Sequence, residues 1–497
     1  MSKLEVLVEI PSTPPAIEGL MAASFDRVGT AEAFTFAESL LADIPSLGIE
    51  VTDAFPPVPL AAADTRLEAA GGGALLTAMM AAIHPPDAGP RRGRRRGAAA
   101  ERPTPATPLP ASVIVPCEVT AAALQALEER PDVVVWPNSP MTLLNTEAAA
   151  EEALFGLLDI APSAGGTDCR PFRPGVPVDT IRRLLGVETL WRDGFRGQNI
   201  IVGILDEGVS NHYPVVGGHE TQTERRWGRA RIDSHGSMCA ADILVAAPAT
   251  RLYDYPFLGH PRSGGALAMF HAVLEQHRRD GTPHLTNNSY GFVGVPPQAQ
   301  APNHEIWNRN HPIHRKVREV VERGIACFFA AGNCGAECPS GVCHASGIGP
   351  GRSIHASNSL EEVITVAAVN SRHERVGYSS QGPGMFDPAK PDIAAYTHLF
   401  GNFGPGRPGG LAQPYDNGTS AATPVACGVA AALLSAFSDL SPSDLKQALM
   451  DSAIDVGQPG RDFLTGAGVV NAAAAYQVLR AGGRIAGLAR PKLYPRI

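Results

Sequence analysis

The stretch Asn199-Ile200-Ile201-Val202-Gly203-Ile204-Leu205-Asp206-Glu207-Gly208 decides the fold. A nearly continuous apolar run of this length suits a strand covered on both faces, as in a parallel sheet, and here it ends in a carboxylate and a turn glycine. Comparable runs follow at Thr250 to Tyr255, Leu285 to Ser289, Ile325 to Ala331 and Val363 to Val369. Helical stretches separate them, and a helix over Asp179 to Trp191 precedes the first. The alternation predicts a three-layer, doubly wound α/β domain with a mostly parallel sheet over residues 179–480, with its active site beyond the C-terminal ends of the strands.

Upstream lies a smaller unit. Leu4 to Ile10 has strand alternation, Thr30 can cap a helix from Ala31 to about Leu41, and Gly48 to Val51 begins a second extended run. Residues 84–110 are rich in Pro, Gly, Ala and Arg, including Arg91-Arg92-Gly93-Arg94-Arg95-Arg96, and read as a solvated, disordered linker. Order returns with a strand at Ser112 to Val115, a helix capped by Thr120 and running through Glu129, and a strand at Val133 to Trp136. Two β-α-β halves predict an N-terminal α/β ferredoxin-like domain over residues 1–144, split by that linker. Residues 145–178 bridge to the main domain, and 481–497 form a tail.

At 497 residues with 44% hydrophobic content, the chain is long enough for one large core and a second, smaller one. Its formal net charge of -8 argues against nucleic acid or an acidic membrane surface as a partner. The N-terminus has no continuous apolar stretch of the signal-peptide kind, and no window reads as apolar enough to span a bilayer, so a cytoplasmic protein is expected. Cys239, Cys327 and Cys427 stand singly in apolar surroundings and read as buried free thiols.

Four positions in the main domain carry chemistry. Asp206 tips the first strand; His235 opens a small-residue helix in Asp233-Ser234-His235-Gly236-Ser237-Met238-Cys239-Ala240. Asn333 follows the break of a buried strand in Phe328-Phe329-Ala330-Ala331-Gly332-Asn333. Ser420 lies in Gly418-Thr419-Ser420-Ala421-Ala422-Thr423-Pro424, before an Ala-rich run to Leu434, where Pro424 suits an early helical position. Singly, each has an ordinary reading as a turn former, a satisfied core histidine or a helix cap. Together they are the parts of acyl transfer. Ser420 attacks, His235 takes and returns the proton, Asp206 holds the imidazole, and the Asn333 amide with the Ser420 backbone N–H binds the oxyanion.

These blocks resemble the subtilisin-like serine peptidases (subtilases) over Asp179 to about Leu479. The resemblance rests on Ile201 to Gly208, His235 to Ala240, Asn287-Asn288-Ser289-Tyr290-Gly291, Ala330 to Asn333, Tyr378 to Pro383, Lys390 to Ala395 and Gly418 to Gly428. It implies an endopeptidase acting on peptide or protein substrates, with Ser289, Tyr290 and Gly291 pairing with the substrate backbone and Ala331 and Gly332 beside them in the binding cleft. It also implies that the N-terminal unit is a propeptide and intramolecular inhibitor, the alternative being an independent accessory or partner-binding domain; where any cleavage falls after Leu143, and whether it happens, the sequence leaves open. Glu207 stands where the family usually has a small hydroxyl residue, and a second carboxylate there is expected to raise local proton affinity.

A last cluster, Cys334, Cys338, Cys343 and His344, follows Asn333 directly. Free thiols are the default reading, with a Cys338–Cys343 disulfide and a zinc site as alternatives; either constraint would bear on the oxyanion site. No cofactor is expected; structural calcium, common in the family, has no assignable place because no Asp-rich loop of suitable spacing stands out. The competing function is a catalytically silent subtilase-fold scaffold with its cleft held shut by the N-terminal domain.

Overall fold

The computed structural model describes residues 3–11, 48–52, 54–61, 111–144, 167–168, 175–219, 227–257, 261–404 and 415–490. The expected helix over Ala31 to Leu41, the linker at 84–110 and most of the bridge at 145–178 lie outside them.

The large domain is an α/β unit on a nine-stranded sheet. Its centre is parallel, in the spatial order Ile364–Val369, Ala326–Ala330, Leu285–Asn288, Ile201–Asp206, Arg251–Pro256. All six residues of Ile201–Asp206 are buried, as the two-sided apolar run requires. Helix Gly418–Ala436 crosses the core buried along its whole length. By length and composition this helix could cross a membrane, contrary to the sequence expectation; its Ala-rich surface instead packs inside the protein. The helix expected over Asp179 to Trp191 is two, Val178–Leu185 and Glu188–Arg192. Gly186 ends the first in the left-handed conformation, its N–H bonded to the Arg182 and Arg183 carbonyls.

The N-terminal unit is a five-stranded sheet in which Leu4–Pro11 lies antiparallel between Ser112–Val119 and Val134–Pro137. The outer two are joined through helix Ala121–Glu128, whose Thr120 cap accepts from the Ala123 N–H. Strand alternation divides its faces. Val6, Val8 and Ile10 form a small core with that helix, while Leu7, Val58, Leu60 and Trp136 join the core layer of the large domain. Glu9, on the second face, meets Arg315 of helix Pro312–Glu322 in a buried ion pair and accepts from Trp136 Nε1 at 2.8 Å.

Candidate active site

Three elements converge on one point. The aspartate strand delivers Asp206, fully buried, at its C-terminal end. Helix His235–Ala246 begins beside it, capped by Ser234, whose hydroxyl accepts from the Ser237 N–H. A side chain at Gly236 would strike the Gly208 carbonyl at 2.4 Å, so only glycine lets this helix start so near the strand. His235 Nδ1 lies 2.9 Å from both Asp206 oxygens. Glu207 accepts from the His235 backbone N–H. Burial opposes a charged imidazole, but the Asp206 charge and hydrogen bond, with the Glu207 charge, raise the His235 pKa above its ordinary value. The added proton affinity expected from Glu207 is thus present. On the other edge, His235 Nε2 is buried without a hydrogen-bond partner.

Ser420 is the third residue of the serine helix Gly418–Ala436. Its Oγ donates to the Ser289 carbonyl at 3.3 Å. The N-cap is Asn417, with no side-chain cap bond, so the cap reading of Thr419-Ser420 falls away. Pro424 is a helix-interior residue, not an early one. It has no N–H to give the carbonyl four residues back, which is that of Ser420. That carbonyl instead accepts from Ser289 Oγ at 3.2 Å and from the Cys239 thiol at 3.7 Å. The same sulfur lies 3.8 Å from Asp206 Oδ2 and 4.0 Å from His235 Nδ1, so one buried thiol touches all three residues. Asp206, His235 and Cys239 are the one group among the described residues whose ligand atoms could jointly hold a metal ion, all within 4.8 Å. Here the carboxylate and imidazole bond to each other, and burial with the Asp206 charge holds the thiol pKa far above its usual value.

Asn333 is turned toward the serine helix. Its Oδ1 accepts from the N–H and hydroxyl of Thr419, both at 2.9 Å. Its Nδ2 donates to the carbonyl of Leu144. The Leu144 N–H bonds to the Ser289 carbonyl at 3.1 Å, and Thr142–Leu143 pairs antiparallel with Tyr290–Gly291. The last described residues of the N-terminal unit therefore lie along Ser289, Tyr290 and Gly291 as an added strand. Ala331 and Gly332 bond to the Val366 carbonyl and to Thr419 Oγ1, holding the turn that presents Asn333. Gly332 has φ +112, and a Cβ there would meet Ser380 Oγ at 2.7 Å.

The cysteine loop differs from all three expected states. Cys334 and Cys343 form a disulfide, their Cα atoms 5.7 Å apart, and Cys338 is disulfide-bonded as well. The loop reverses after Asn333, so Cys343 returns to Cys334; spacing alone does not fix such a pairing. Cys117, Cys239, Cys327 and Cys427 are buried free thiols.

Leu144, Cys239 and Tyr378, whose hydroxyl accepts from the Gly418 N–H, were not legible as site residues. The signal available for Leu144 was its place at the end of the last N-terminal strand.

A profile of the subtilase family matches residues 197–468. Subtilisin DY of Bacillus licheniformis is 26% identical over 306 residues, 59% of this chain and 97% of that protein. Serine protease AprX of Bacillus subtilis (strain 168) is 26% identical over 330 residues, 59% of this chain and 70% of its own. Among solved structures, fervidolysin from Fervidobacterium pennivorans, a keratinolytic enzyme related to subtilisin, aligns with a TM-score of 0.48 at 20% identity, covering 73% of this chain and 56% of that one. With more than half its length matched by the family profile, this chain belongs to the subtilase family of serine peptidases.

Proposed function

We propose that the protein is a serine endopeptidase that works through an acyl-enzyme, and that its N-terminal domain occupies the cleft as an intramolecular inhibitor. Ser420 is the nucleophile. His235 Nε2, buried and unpartnered, receives the serine proton once the hydroxyl swings away from the Ser289 carbonyl. Asp206 fixes the Nδ1–H tautomer and stabilises the imidazolium, and Asn333 Nδ2 stabilises the oxyanion. The imidazolium then returns its proton to the leaving amine, and water hydrolyses the ester.

The observation that carries this reading is the Leu144 carbonyl on Asn333 Nδ2, with the Leu144 N–H on Ser289. It presents the bond after Leu144 as the bond to be cut. Intact mass and N-terminal sequencing of the full chain are expected to find a new terminus at residue 145. A fluorophosphonate probe is expected to label wild type and not Ser420→Ala. The scaffold reading draws on the same occupied cleft and on the serine hydroxyl turned to Ser289. Absence of labelling even after limited proteolysis of the N-terminal region decides for it.

A further inference from the structure

We propose that the Cys334–Cys343 disulfide is a positioning device for Asn333, so that oxyanion stabilisation, and with it the chemical step, depends on the oxidation state of this bond. The inference rests on Asn333 acting as the oxyanion donor.

Within the large domain the Asn333 side chain is held at Oδ1 by Thr419. This aims Nδ2 at the Leu144 carbonyl. The backbone that carries this side chain is held upstream through Gly332, whose N–H donates to Thr419 Oγ1, and downstream the Asn333 carbonyl is held by the loop. The Asn333 carbonyl accepts from the Ser340 N–H at 2.9 Å, and Cys343 Sγ lies 3.4 Å from the same oxygen. The Cys343 N–H in turn donates to the Ser340 carbonyl at 2.9 Å. The disulfide thus closes a ring from the residue after Asn333 back to the residue that anchors Ser340.

Cys334 is the fixed end of this ring. It is buried, its N–H donates to Ser380 Oγ at 3.1 Å, and its carbonyl accepts from the Gly349 N–H at 2.9 Å. The stretch before Ser340 is held independently: the Ala336 N–H donates to Gln381 Oε1 at 3.2 Å, Glu337 pairs with Arg375 at 2.8 Å, and Cys338 is itself disulfide-bonded. Between Ser340 and Cys343 the backbone is exposed or half-exposed and outside helix and strand, and opening there would release the Asn333 carbonyl. The crosslink forbids that motion.

Opening the bond is an ordinary exchange. A small dithiol attacks one sulfur, the mixed disulfide resolves on its second thiol, and two electrons and two protons pass to Cys334 and Cys343 as the reagent becomes its cyclic disulfide. In an oxidising compartment the bond persists; in a reducing one it is exposed to this exchange.

The test uses the full chain. Self-cleavage after Leu144 is unimolecular, so its first-order rate reads transition-state stabilisation without a binding step. Replacing both cysteines (Cys334→Ser with Cys343→Ser) leaves no odd thiol. It is expected to slow self-cleavage and fluorophosphonate labelling about tenfold, less than the roughly 10²–10³-fold loss expected for Asn333→Ala. In the Asn333→Ala background the two serines are expected to slow the reaction no further. Unchanged rates in the two-serine variant, or an undiminished tenfold effect without Asn333, overturn the proposal. Should that variant fail to fold, wild type poised at graded dithiol ratios serves, with alkylation mapping of Cys334, Cys343 and Cys338, whose own disulfide must be followed separately. The rate is expected to follow the fraction of closed bond, and a rate indifferent to it overturns the proposal. Wild type that neither self-cleaves nor labels removes the peptidase reading, and this inference with it; wild type that reacts while the variants match it removes only the inference.

Discussion

His235 has carboxylates on one side and an unpartnered nitrogen on the other, and that asymmetry sets its pH behaviour. Burial works against its charge, while Asp206 and Glu207 raise its pKa. A base must be neutral to accept the serine proton, so activity is lost as pH falls through this raised value. Glu207→Gln removes one of the charges that favour the imidazolium. The acid limb of the kcat/KM profile is therefore expected to move to lower pH, with little change above it. A limb that stays in place would show that Glu207 serves only to cap the His235 N–H. At this scale the sequence was informative because acyl transfer demands particular residue types: Asp206, His235, Asn333 and Ser420 stood out by their chemistry. Cys239 did not, since a small apolar thiol on a buried helix looks like packing until its distances to Asp206, His235 and the Ser420 carbonyl are known.

Among the elements, the serine helix shows how a local break is put to use. Its Ala-rich run was legible as a buried helix, but the position of Pro424 within it was not. Because Gly418 and Thr419 are already helical, Pro424 falls in the interior and leaves the Ser420 carbonyl free for Ser289 and Cys239. Pro424→Ala restores an N–H that can bond to that carbonyl. Interior proline costs a helix about 3 kcal/mol, so the substitution is expected to raise the unfolding midpoint while lowering kcat several-fold. Calorimetry and steady-state kinetics on one preparation check both; a kcat at the wild-type value would mean that the Ser420 carbonyl contacts do not place its hydroxyl. The split of the predicted 179–191 helix is the converse case. There helical periodicity continued through Gly186, and only the left-handed backbone at that glycine ends the first helix.

In the whole molecule, the two domains meet across a face rich in histidine. His311 Nε2 lies 3.0 Å from the Pro137 carbonyl, His304 Nε2 lies 3.2 Å from Ser139 Oγ, and Glu305 accepts from the N–H and hydroxyl of Ser139. Glu9, Arg315, Arg318, Arg309 and His314 complete the charged and titratable surroundings. Burial lowers the pKa of both His304 and His311, against the pull of Glu305. Undocking returns them to water, where they bind protons at their ordinary value of about 6.5. Docking is thus strongest above that pH and weakens as pH falls through it, because the undocked state takes up more protons. Labelling of the full chain by a fluorophosphonate, corrected for the intrinsic profile of His235, is expected to show greater cleft access toward pH 5. Replacing His304 and His311 by Asn should flatten this rise; a rise that survives both replacements assigns it to other groups. The sequence by itself determined the doubly wound core, since two-sided apolar runs have few other places to go, and it singled out the four candidate residues of the proposed mechanism. Only the tertiary structure decided that Leu144 faces Asn333, that Cys334 pairs with Cys343 and that Pro424 lies inside its helix. The first depends on where segments remote in sequence come to rest; the other two are local, but they turn on how the loop after Asn333 reverses and on where the helix begins, which composition and spacing do not encode.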